Sequence, residues 1–264
     1  MHTHSSHETA DSPQHPTRRF SVRVADYVKY RPGYPPELLE DLREQQLLTP
    51  GTRIADMGSG TGLLARVFLE AGHAVVGIEP NADMRAAGDE FLATFPRFQS
   101  RDATAEATGL PDVSVDLIIA GQAFHWFDRG RARAEFARIL ATGGGVALIW
   151  NERLTHSPFL RAYEALVHTY ATDYGKIDHR QITEELLRAF FSPHAMRITS
   201  HPNAQHFDFD GLRGRLLSSS YAPLPGDPRH EPMLKELRRI FDEHQRNGCV
   251  SFDYLTKIHT ARMK

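Results

Sequence analysis

The sequence lacks the chemistry that several classes of protein require. It contains one cysteine among 264 residues, Cys249, which excludes an intrachain disulfide and disfavours a cysteine-based zinc site. No apolar run approaches the roughly 18 residues that a transmembrane helix needs. Neither sign of charge dominates, because 31 basic and 33 acidic residues leave a formal net charge of −2, whereas a general nucleic-acid-binding protein carries a basic face. These absences favour a cytoplasmic protein that binds neither a membrane nor nucleic acid and holds no metal.

The composition predicts a single globular domain preceded by a tail. Hydrophobic residues account for 41% and charged residues for 24% of the chain, close to the values of ordinary globular domains. Residues 1–19 are rich in His, Ser, Thr and Pro and lack the apolar segment of a secretory signal peptide, so we expect a disordered tail. Residues 20–264 are long enough for one large domain that carries an insertion.

The rest of the chain is organised around the segment 54–65. Ile54 and Ala55 end an apolar run that predicts a buried strand, three glycines follow at alternate positions, and apolar residues then recur at helical spacing up to Gly72. The glycines leave no Cβ between the main chain and a ligand, and the following helix begins with free N–H groups. This order of strand, glycine turn and helix is typical of a nucleotide-binding βαβ unit.

The spacing of this turn distinguishes among the families that use it. A phosphate-binding loop would need a lysine after its last glycine, and none is present. The dinucleotide motif is Gly-x-Gly-x-x-Gly, whereas this turn reads Gly-x-Gly-x-Gly with Asp56 two residues ahead of Gly58. A carboxylate at that point would repel a pyrophosphate but suits a cofactor that carries an ammonium and a sulfonium and no phosphate. A glycine turn that binds nothing is the structural alternative.

Strands and helices alternate along the chain after this unit. The apolar, β-rich segments that predict further strands lie at 74–79, 98–102, 116–121, 146–150 and 250–261. Their alternation with amphipathic segments predicts an α/β fold, a Rossmann-like doubly wound and mostly parallel sheet. Helical periodicity at 152–225 predicts a helical insertion that covers the ligand end of the sheet, with a passage from strand to helix at 207–220.

Polar residues stand at the carboxyl ends of these strands, where ligands bind in open α/β sheets. Glu79 ends the second strand, and its two oxygens suit the paired hydroxyls of a ribose, although a dinucleotide enzyme would use the same acid and a helix cap would explain it too. Asp102 and Ala103 follow the third strand, where the carboxylate could accept from the exocyclic amine of an adenine. Gln122 and the aromatic segment 124–127 follow the fourth strand and are expected beside the reactive end of the cofactor.

Four motifs of the sequence together point to one family. They are Asp56-x-Gly58-x-Gly60-x-Gly62, Tyr27-x-x-Tyr30-Arg31-Pro32-Gly33-Tyr34-Pro35, Gly77-Ile78-Glu79-Pro80, and Phe124-His125-Trp126-Phe127 with Asp128. The sequence resembles the class I S-adenosylmethionine (SAM)-dependent methyltransferases of the methyltransferase type 11 group, and most closely the trans-aconitate methyltransferase-like branch. The likeness covers residues 20–150 well and the C-terminal third only loosely. The segment after the fourth strand is not of the Asn/Asp-Pro-Pro-Tyr type, which disfavours methylation of DNA amines.

The resemblance implies SAM as the cofactor and S-adenosylhomocysteine (SAH) as its product. It also implies that the segment 27–31 closes over the methionine end of the cofactor, where Arg31 meets the carboxylate. The residues that it implies for cofactor binding are Tyr27, Arg31, Asp56, Gly58, Ser59, Gly60, Glu79, Pro80, Met84, Asp102, Ala103 and Gln122.

The acceptor site is less well defined by the sequence. His125 is the candidate catalytic residue, either as a base that takes a proton from the acceptor or as a structural group that orients the aromatic segment. Because a sulfonium is already a reactive electrophile, methyl transfer depends mainly on placement, and a carboxylate acceptor would need no base. The candidate substrate-contacting residues are Tyr30, Trp126, His156, Tyr163 and Tyr221.

The predicted function is transfer of a methyl group to a small organic acceptor by O- or N-methylation, carboxylates included. Two alternatives stay open. One is a nicotinamide-dependent oxidoreductase, which the spacing of the glycine turn opposes, and the other is a non-catalytic SAM-binding module that retains the fold. We expect a monomer or a homodimer, and the sequence does not specify the acceptor.

Overall fold

A seven-stranded sheet forms the centre of the part of the chain that the computed structural model describes, residues 28–172 and 182–264. Its strands are β1 (Arg53–Met57), β2 (Ala74–Ile78), β3 (Phe98–Arg101), β4 (Val115–Gly121), β5 (Leu140–Arg153), β6 (Arg197–Phe207) and β7 (Val250–Arg262). The helices are α1 (Glu37–Glu44), α2 (Leu63–Glu70), α3 (Ala82–Phe91), α4 (Arg129–Ile139), α5 (Pro158–Tyr170), α6 (Glu184–Phe191), α7 (Phe209–Leu217) and α8 (His230–His244). In these ranges no helix has the length and apolar character needed to span a bilayer. The tail expected at 1–19 lies outside the described residues.

The strand order places the glycine turn at the centre of the sheet's ligand edge. The order is β3-β2-β1-β4-β5-β7-β6. The first five strands of that order are parallel, while β7 pairs antiparallel with β5 on one side and with β6 on the other. The predicted doubly wound, mostly parallel sheet is thereby confirmed. The chain passes from β1 to β2 on one side and later to β4 on the other, so the strand order reverses at β1, and open α/β sheets bind ligands at such a point.

Helices cover both faces of the sheet because its central strands are apolar on both sides. Leu117 and Ile119 of β4 pack into one cluster with α1 and α2, while Ile118 and Ala120 pack into the opposite cluster with α4 and α6. All four side chains are fully buried. A strand buried on both faces reads as a continuous apolar run, which is the pattern that predicted this strand.

A third cluster forms a cap at the carboxyl end of β5. It joins α5, α7 and α8 to Phe207 of β6 and to Phe252 and Tyr254 of β7. Tyr254 is paired with Arg153, the last residue of β5, so this cluster lies at the same end of the sheet as the glycine turn. We call α5, α7 and α8 the cap.

Helices α5 and α7 lie within the insertion predicted at 152–225, but the structure differs from the prediction for this segment in two respects. β6 lies inside this segment and pairs with β7 along its whole length as an edge strand, and α6 packs on the face of the sheet rather than in the cap. β6 is polar and contains Pro202, which an edge strand tolerates because only one of its sides is paired. Its sequence therefore has no apolar alternation to reveal it. The change from strand to helix predicted at 207–220 is found there: Phe207 is the last residue of β6, and α7 follows it.

Candidate functional site

The turn after β1 leaves its backbone open to a cavity at Gly60. Gly58, Gly60 and Gly62 have φ values of +66°, +55° and +81°. A Cβ at Gly58 or Gly62 would lie only 2.7 or 2.4 Å from a packed side chain, so packing within the protein already excludes a side chain at both. A Cβ at Gly60 would meet one described atom within 4 Å, the terminal methyl of Met84 at 3.2 Å. Gly60 is therefore the position at which the turn can approach a ligand.

Asp56, near the end of β1, is a buried carboxylate without an ion-pair partner in the described chain. It is 1% exposed, and neither of its oxygens accepts a hydrogen bond of good geometry there. Burial raises the pKa of Asp56 to about 8, Glu79 adds to the rise, and the backbone N–H of Ala65 in α2 acts in the opposite direction. Because buried charges are normally paired and Asp56 lines the cavity, its surroundings fit a cationic group of a ligand.

Glu79 joins the glycine turn to the end of β2. Its Oε2 accepts from the backbone N–H of Gly60 at 2.9 Å, and its Oε1 accepts from the backbone N–H of Asn81 at 2.8 Å. Burial raises the pKa of Glu79, although these two hydrogen bonds oppose the rise. The cap of α3 is Asn81, whose Oδ1 accepts from the backbone N–H of Met84 at 2.9 Å. The alternative role of Glu79 as a helix cap is therefore wrong.

A cavity of about 230 Å³ lies between the glycine turn and the cap. Its walls come from the carboxyl ends of β1, β4 and β5, from the segment before α1, and from the cap. The predicted site residues that line it are Arg31, Asp56, Gly58, Ser59, Gly60, Gln122, His125, Trp126 and Tyr221. The glycine turn and the aromatic segment, which lie about 60 residues apart, thus meet at one cavity. Among the described residues, no three His, Cys, Asp or Glu side chains converge as they would around a metal ion.

Other residues predicted to bind the cofactor lie beyond the wall of this cavity. They are Glu79, Pro80, Met84, Asp102 and Ala103. They follow the carboxyl ends of β2 and β3 and extend the ligand edge of the sheet away from the cap. The carboxylate of Asp102 is largely exposed and forms an ion pair with Arg85 at 3.1 Å. Their contacts with a cofactor stay predictions, and Tyr27 lies outside the described residues.

Three residues predicted to contact the acceptor do not reach the cavity. Tyr163 is fully buried in the cluster of the cap, because the apolar face of α5 is turned toward β7. The ring of Tyr30 packs against Gly214 of α7, where a Cβ would lie 2.1 Å from it. His156 is exposed, with its Nε2 3.3 Å from the carboxylate of Asp253. These three residues serve the packing and the surface of the cap instead.

The sequence analysis missed the residues that complete the far wall of the cavity. They are Asn151, Glu152, Arg153, Glu164, Arg215, Ser220 and Tyr254. Asn151 and Arg153 follow the strand predicted at 146–150, so the rule that ligands bind at strand ends is a signal that could have found them. Arg215 of α7 and Tyr254 of β7 have no such local signal, because antiparallel pairing and the folding of the cap bring them to the cavity.

Three arginines of the cavity act on the hydroxyl of Tyr221. Arg153 forms an ion pair with Glu164 of α5. Burial alone would raise the pKa of Tyr221, but Arg153, Arg215 and Arg31 more than offset this effect and lower it to about 8. A tyrosine hydroxyl that ionises this readily lies in a positive potential, which favours anionic groups in the cavity.

The segment before α1 connects the two sides of the cavity. Arg31 donates from Nη2 to the backbone oxygen of Ser218, just after α7, at 3.1 Å. The carbonyl oxygen of Gly33 accepts from Nδ2 of Asn151 at 3.0 Å and from Nδ2 of Asn203 at 2.9 Å. Arg31, the residue predicted to meet the cofactor's carboxylate, is therefore fixed by the cap.

Comparison with known proteins identifies relatives that cover from about half to most of the chain. A family model described as a methyltransferase domain matches residues 55–148. An uncharacterized methyltransferase of Schizosaccharomyces pombe is 33% identical over 247 residues, which cover 92% of this chain and 96% of that protein. An uncharacterized methyltransferase of Mycobacterium tuberculosis is 39% identical over 134 residues, about half of each chain (51% and 52%). Among solved structures, a protein of Anaeromyxobacter dehalogenans assigned as a type II methyltransferase has the same fold, with a TM-score of 0.67 and 23% identity over 89% of this chain and 98% of that one.

Proposed function

Because this chain belongs to the methyltransferase family, we propose that it transfers the methyl group of SAM to a small organic acceptor bound under the cap. The observation that carries the proposal is Asp56, a buried carboxylate that lacks an ion-pair partner in the described chain and lines the same cavity as the open position of the glycine turn, Gly60. The cavity continues from this point to the cap, so the acceptor would lie between the donor and the cap.

The residues at the ligand edge fit the chemical groups of SAM. Asp56 would hold the ammonium group, because a buried carboxylate needs a cation. Glu79 would accept from the ribose hydroxyls, since each of its oxygens has a second lone pair beyond its bond to a backbone N–H. Arg31 would meet the methionine carboxylate, and Gly60 would let the main chain approach the ligand closely.

The protein's contribution to the reaction is placement and exclusion of water. SAM supplies a methyl group on a sulfonium, which a nucleophile attacks in line. The strand ends and the cap hold the two reactants in one cavity, and such positioning supplies much of the rate of a two-substrate reaction. His125 lines this cavity and would take the proton of a hydroxyl or amine acceptor, or orient that acceptor. A carboxylate acceptor is already ionised and needs no base.

Calorimetry with SAM and with NADPH tests the proposal against the oxidoreductase alternative. The proposal expects binding of SAM and none of NADPH, because Asp56 would face the dinucleotide's pyrophosphate. Tight binding of NADPH without a response to SAM would contradict it. Transfer of a labelled methyl group from SAM to the small-molecule fraction of a cell extract then tests catalysis. SAM binding without transfer to any fraction would favour the non-catalytic module.

Glu79→Ala is expected to weaken the binding of SAH by about 1.5–3 kcal/mol, the usual value of hydrogen bonds to a charged acceptor. The change removes the bonds expected to the ribose and also frees the N–H of Gly60, which loosens the turn. Titration calorimetry measures the effect. Glu70→Ala is the matched control, because Glu70 is an exposed glutamate of α2 that pairs with Arg66 away from the cavity. Equal affinities in the two variants would contradict the role of Glu79.

A further inference from the structure

Arg85 of α3 joins the ends of two neighbouring strands at the ligand edge of the sheet. Its Nη1 donates to the backbone oxygen of Glu79 at 2.7 Å, and its Nη2 lies 3.1 Å from Oδ2 of Asp102. Glu79 follows β2 and Asp102 follows β3, and these two strands pair in parallel. One guanidinium therefore contacts both acidic residues that are proposed to meet the nucleoside of the cofactor.

The ion pair between Arg85 and Asp102 contributes little to the stability of the fold. The side chain of Asp102 is 72% exposed, whereas that of Arg85 is 18% exposed. Ion pairs that reach the solvent are worth about 0–1 kcal/mol, because water screens them and ordering the side chains costs entropy. What the pair does change is the freedom of Asp102, whose exposed carboxylate would otherwise sample several orientations.

Arg85 is itself held in place by its own helix and by Glu79. The backbone N–H of Arg85 donates to the carbonyl oxygen of Asn81, the cap of α3, at 2.9 Å. The backbone N–H of Asn81 in turn donates to Oε1 of Glu79. The start of the helix and the guanidinium are thus both attached to Glu79. A side chain fixed in this way can orient a carboxylate before any ligand arrives.

The contact with Arg85 leaves both acids able to accept hydrogen bonds from a ligand. A carboxylate has about four lone-pair sites, and the guanidinium approaches only one oxygen of Asp102. At Glu79 the guanidinium binds the backbone oxygen and not the carboxylate. The charge of Arg85 also opposes the rise that burial causes in the pKa of Glu79, which favours the ionised form. Arg85 therefore supports both acids without occupying the place of a ligand.

We propose that Arg85 is a positioning residue that orients the carboxylate of Asp102 for the exocyclic amine of adenine, and that it thereby sets the preference of the site for a 6-amino purine. This inference rests on the proposed function, because it concerns how the same site recognises its cofactor. A 6-oxo purine presents an acceptor where adenine presents a donor, so a fixed carboxylate would repel it. A mobile carboxylate would turn away and would discriminate less.

Titration calorimetry with SAH and with S-inosylhomocysteine, which has an oxygen in place of the 6-amine, tests this role. The wild-type protein is expected to bind SAH roughly tenfold or more tightly than the analogue, because Asp102 loses a donor on the analogue. Arg85→Met keeps the unbranched stem but removes the guanidinium, and it is expected to reduce the preference to about threefold or less. Arg188→Met is the matched control, because Arg188 is an exposed arginine that pairs with Glu184 of its own helix, outside the cavity. It is expected to keep the full preference.

The same measurement in an Asp102→Ala background separates positioning from direct contact. If Arg85 acts through Asp102, Arg85→Met is expected to leave the preference unchanged once the carboxylate is absent. A direct contact between Arg85 and the purine would instead give the same change in both backgrounds. A merely structural role would weaken the binding of SAH and of the analogue in parallel, and their ratio would stay that of wild type.

Any of three results would overturn the inference. They are the absence of a preference in the wild-type protein, the full preference in Arg85→Met, and an equal effect of Arg85→Met with and without the carboxylate of Asp102. The measurement on the wild-type protein needs no variant, and Arg85→Gln gives the same comparison if Arg85→Met does not fold. Failure of the proposed function is a separate outcome, because the wild-type protein would then bind neither SAH nor its analogue.

Discussion

Gly60→Val is expected to abolish measurable binding of SAM and SAH. The space above Gly60 belongs to the cavity, and a branched side chain there would occupy the place of the ligand and press on Met84, whose methyl lies 3.2 Å from the position of the new Cβ. The variant is also expected to lose some stability, because a residue with a Cβ pays about 1–2 kcal/mol to adopt the left-handed backbone found at Gly60. Titration calorimetry with SAH measures the binding, and thermal unfolding measures the stability.

Gly72→Val separates these two effects. Gly72 also has a left-handed backbone, with φ of +86°, but a Cβ there meets nothing within 4 Å. It follows α2, away from the cavity, so the control carries the backbone strain without the obstruction. If Gly60→Val bound SAH as well as Gly72→Val does, the glycine turn would not be the cofactor site.

Asp56→Asn is expected to weaken the binding of SAM by about 3–5 kcal/mol, the usual cost of removing one partner of a buried ion pair. The amide keeps the size of the side chain but leaves the ammonium of the ligand without its counter-charge. Titration calorimetry checks the loss. An affinity within threefold of wild type would show that the cation lies elsewhere.

The raised pKa of Asp56 makes this binding depend on pH. Burial raises the pKa to about 8, so Asp56 is mostly protonated at pH 7 in the free protein and must ionise to hold an ammonium. Binding at pH 7 is therefore expected to release close to one proton, and titrations in two buffers of different ionisation enthalpy measure it. Asp56→Asn should release none. An equal release from both proteins would contradict this coupling.

The same pKa predicts how the free energy of unfolding changes with pH. Unfolding returns Asp56 to its ordinary pKa of about 4, so between that pH and about 8 the folded state binds more protons than the unfolded state does. The contribution of Asp56 to the free energy of unfolding is fully present below pH 4 and is lost as pH rises toward 8. Urea unfolding of the ligand-free protein is expected to show that the free energy of unfolding decreases more from pH 5 to pH 8 for wild type than for Asp56→Asn. Equal decreases in the two proteins would contradict the burial of an uncompensated carboxylate.

The half of the site proposed to hold the donor could be predicted from the sequence because its signals are local. The strand, the turn and the helix that contain Asp56 and Gly60 are contiguous, and the strand-end rule locates Glu79 and Gln122 one strand at a time. The order of the sheet follows from the same alternation of strands and helices.

The half of the site that faces the acceptor could not be predicted in this way. Arg215 and Tyr254 are 39 residues apart and meet only because β7 runs antiparallel beside β5, with β6 beyond it. Helical periodicity identifies an aromatic residue such as Tyr163 but not which neighbour it faces, and here it faces the core of the cap. β6 escapes detection because an edge strand with one paired side can be polar throughout.

The hydrogen bond from Arg31 to Ser218 has a consequence for the order and strength of binding. It ties a residue predicted to bind the cofactor to the end of α7, so we expect an occupant of either side of the cavity to steady the other. Thermodynamic linkage then requires reciprocity: if SAH tightens the binding of an acceptor by some factor, that acceptor tightens the binding of SAH by the same factor. We therefore expect the cofactor and the acceptor to bind cooperatively rather than independently.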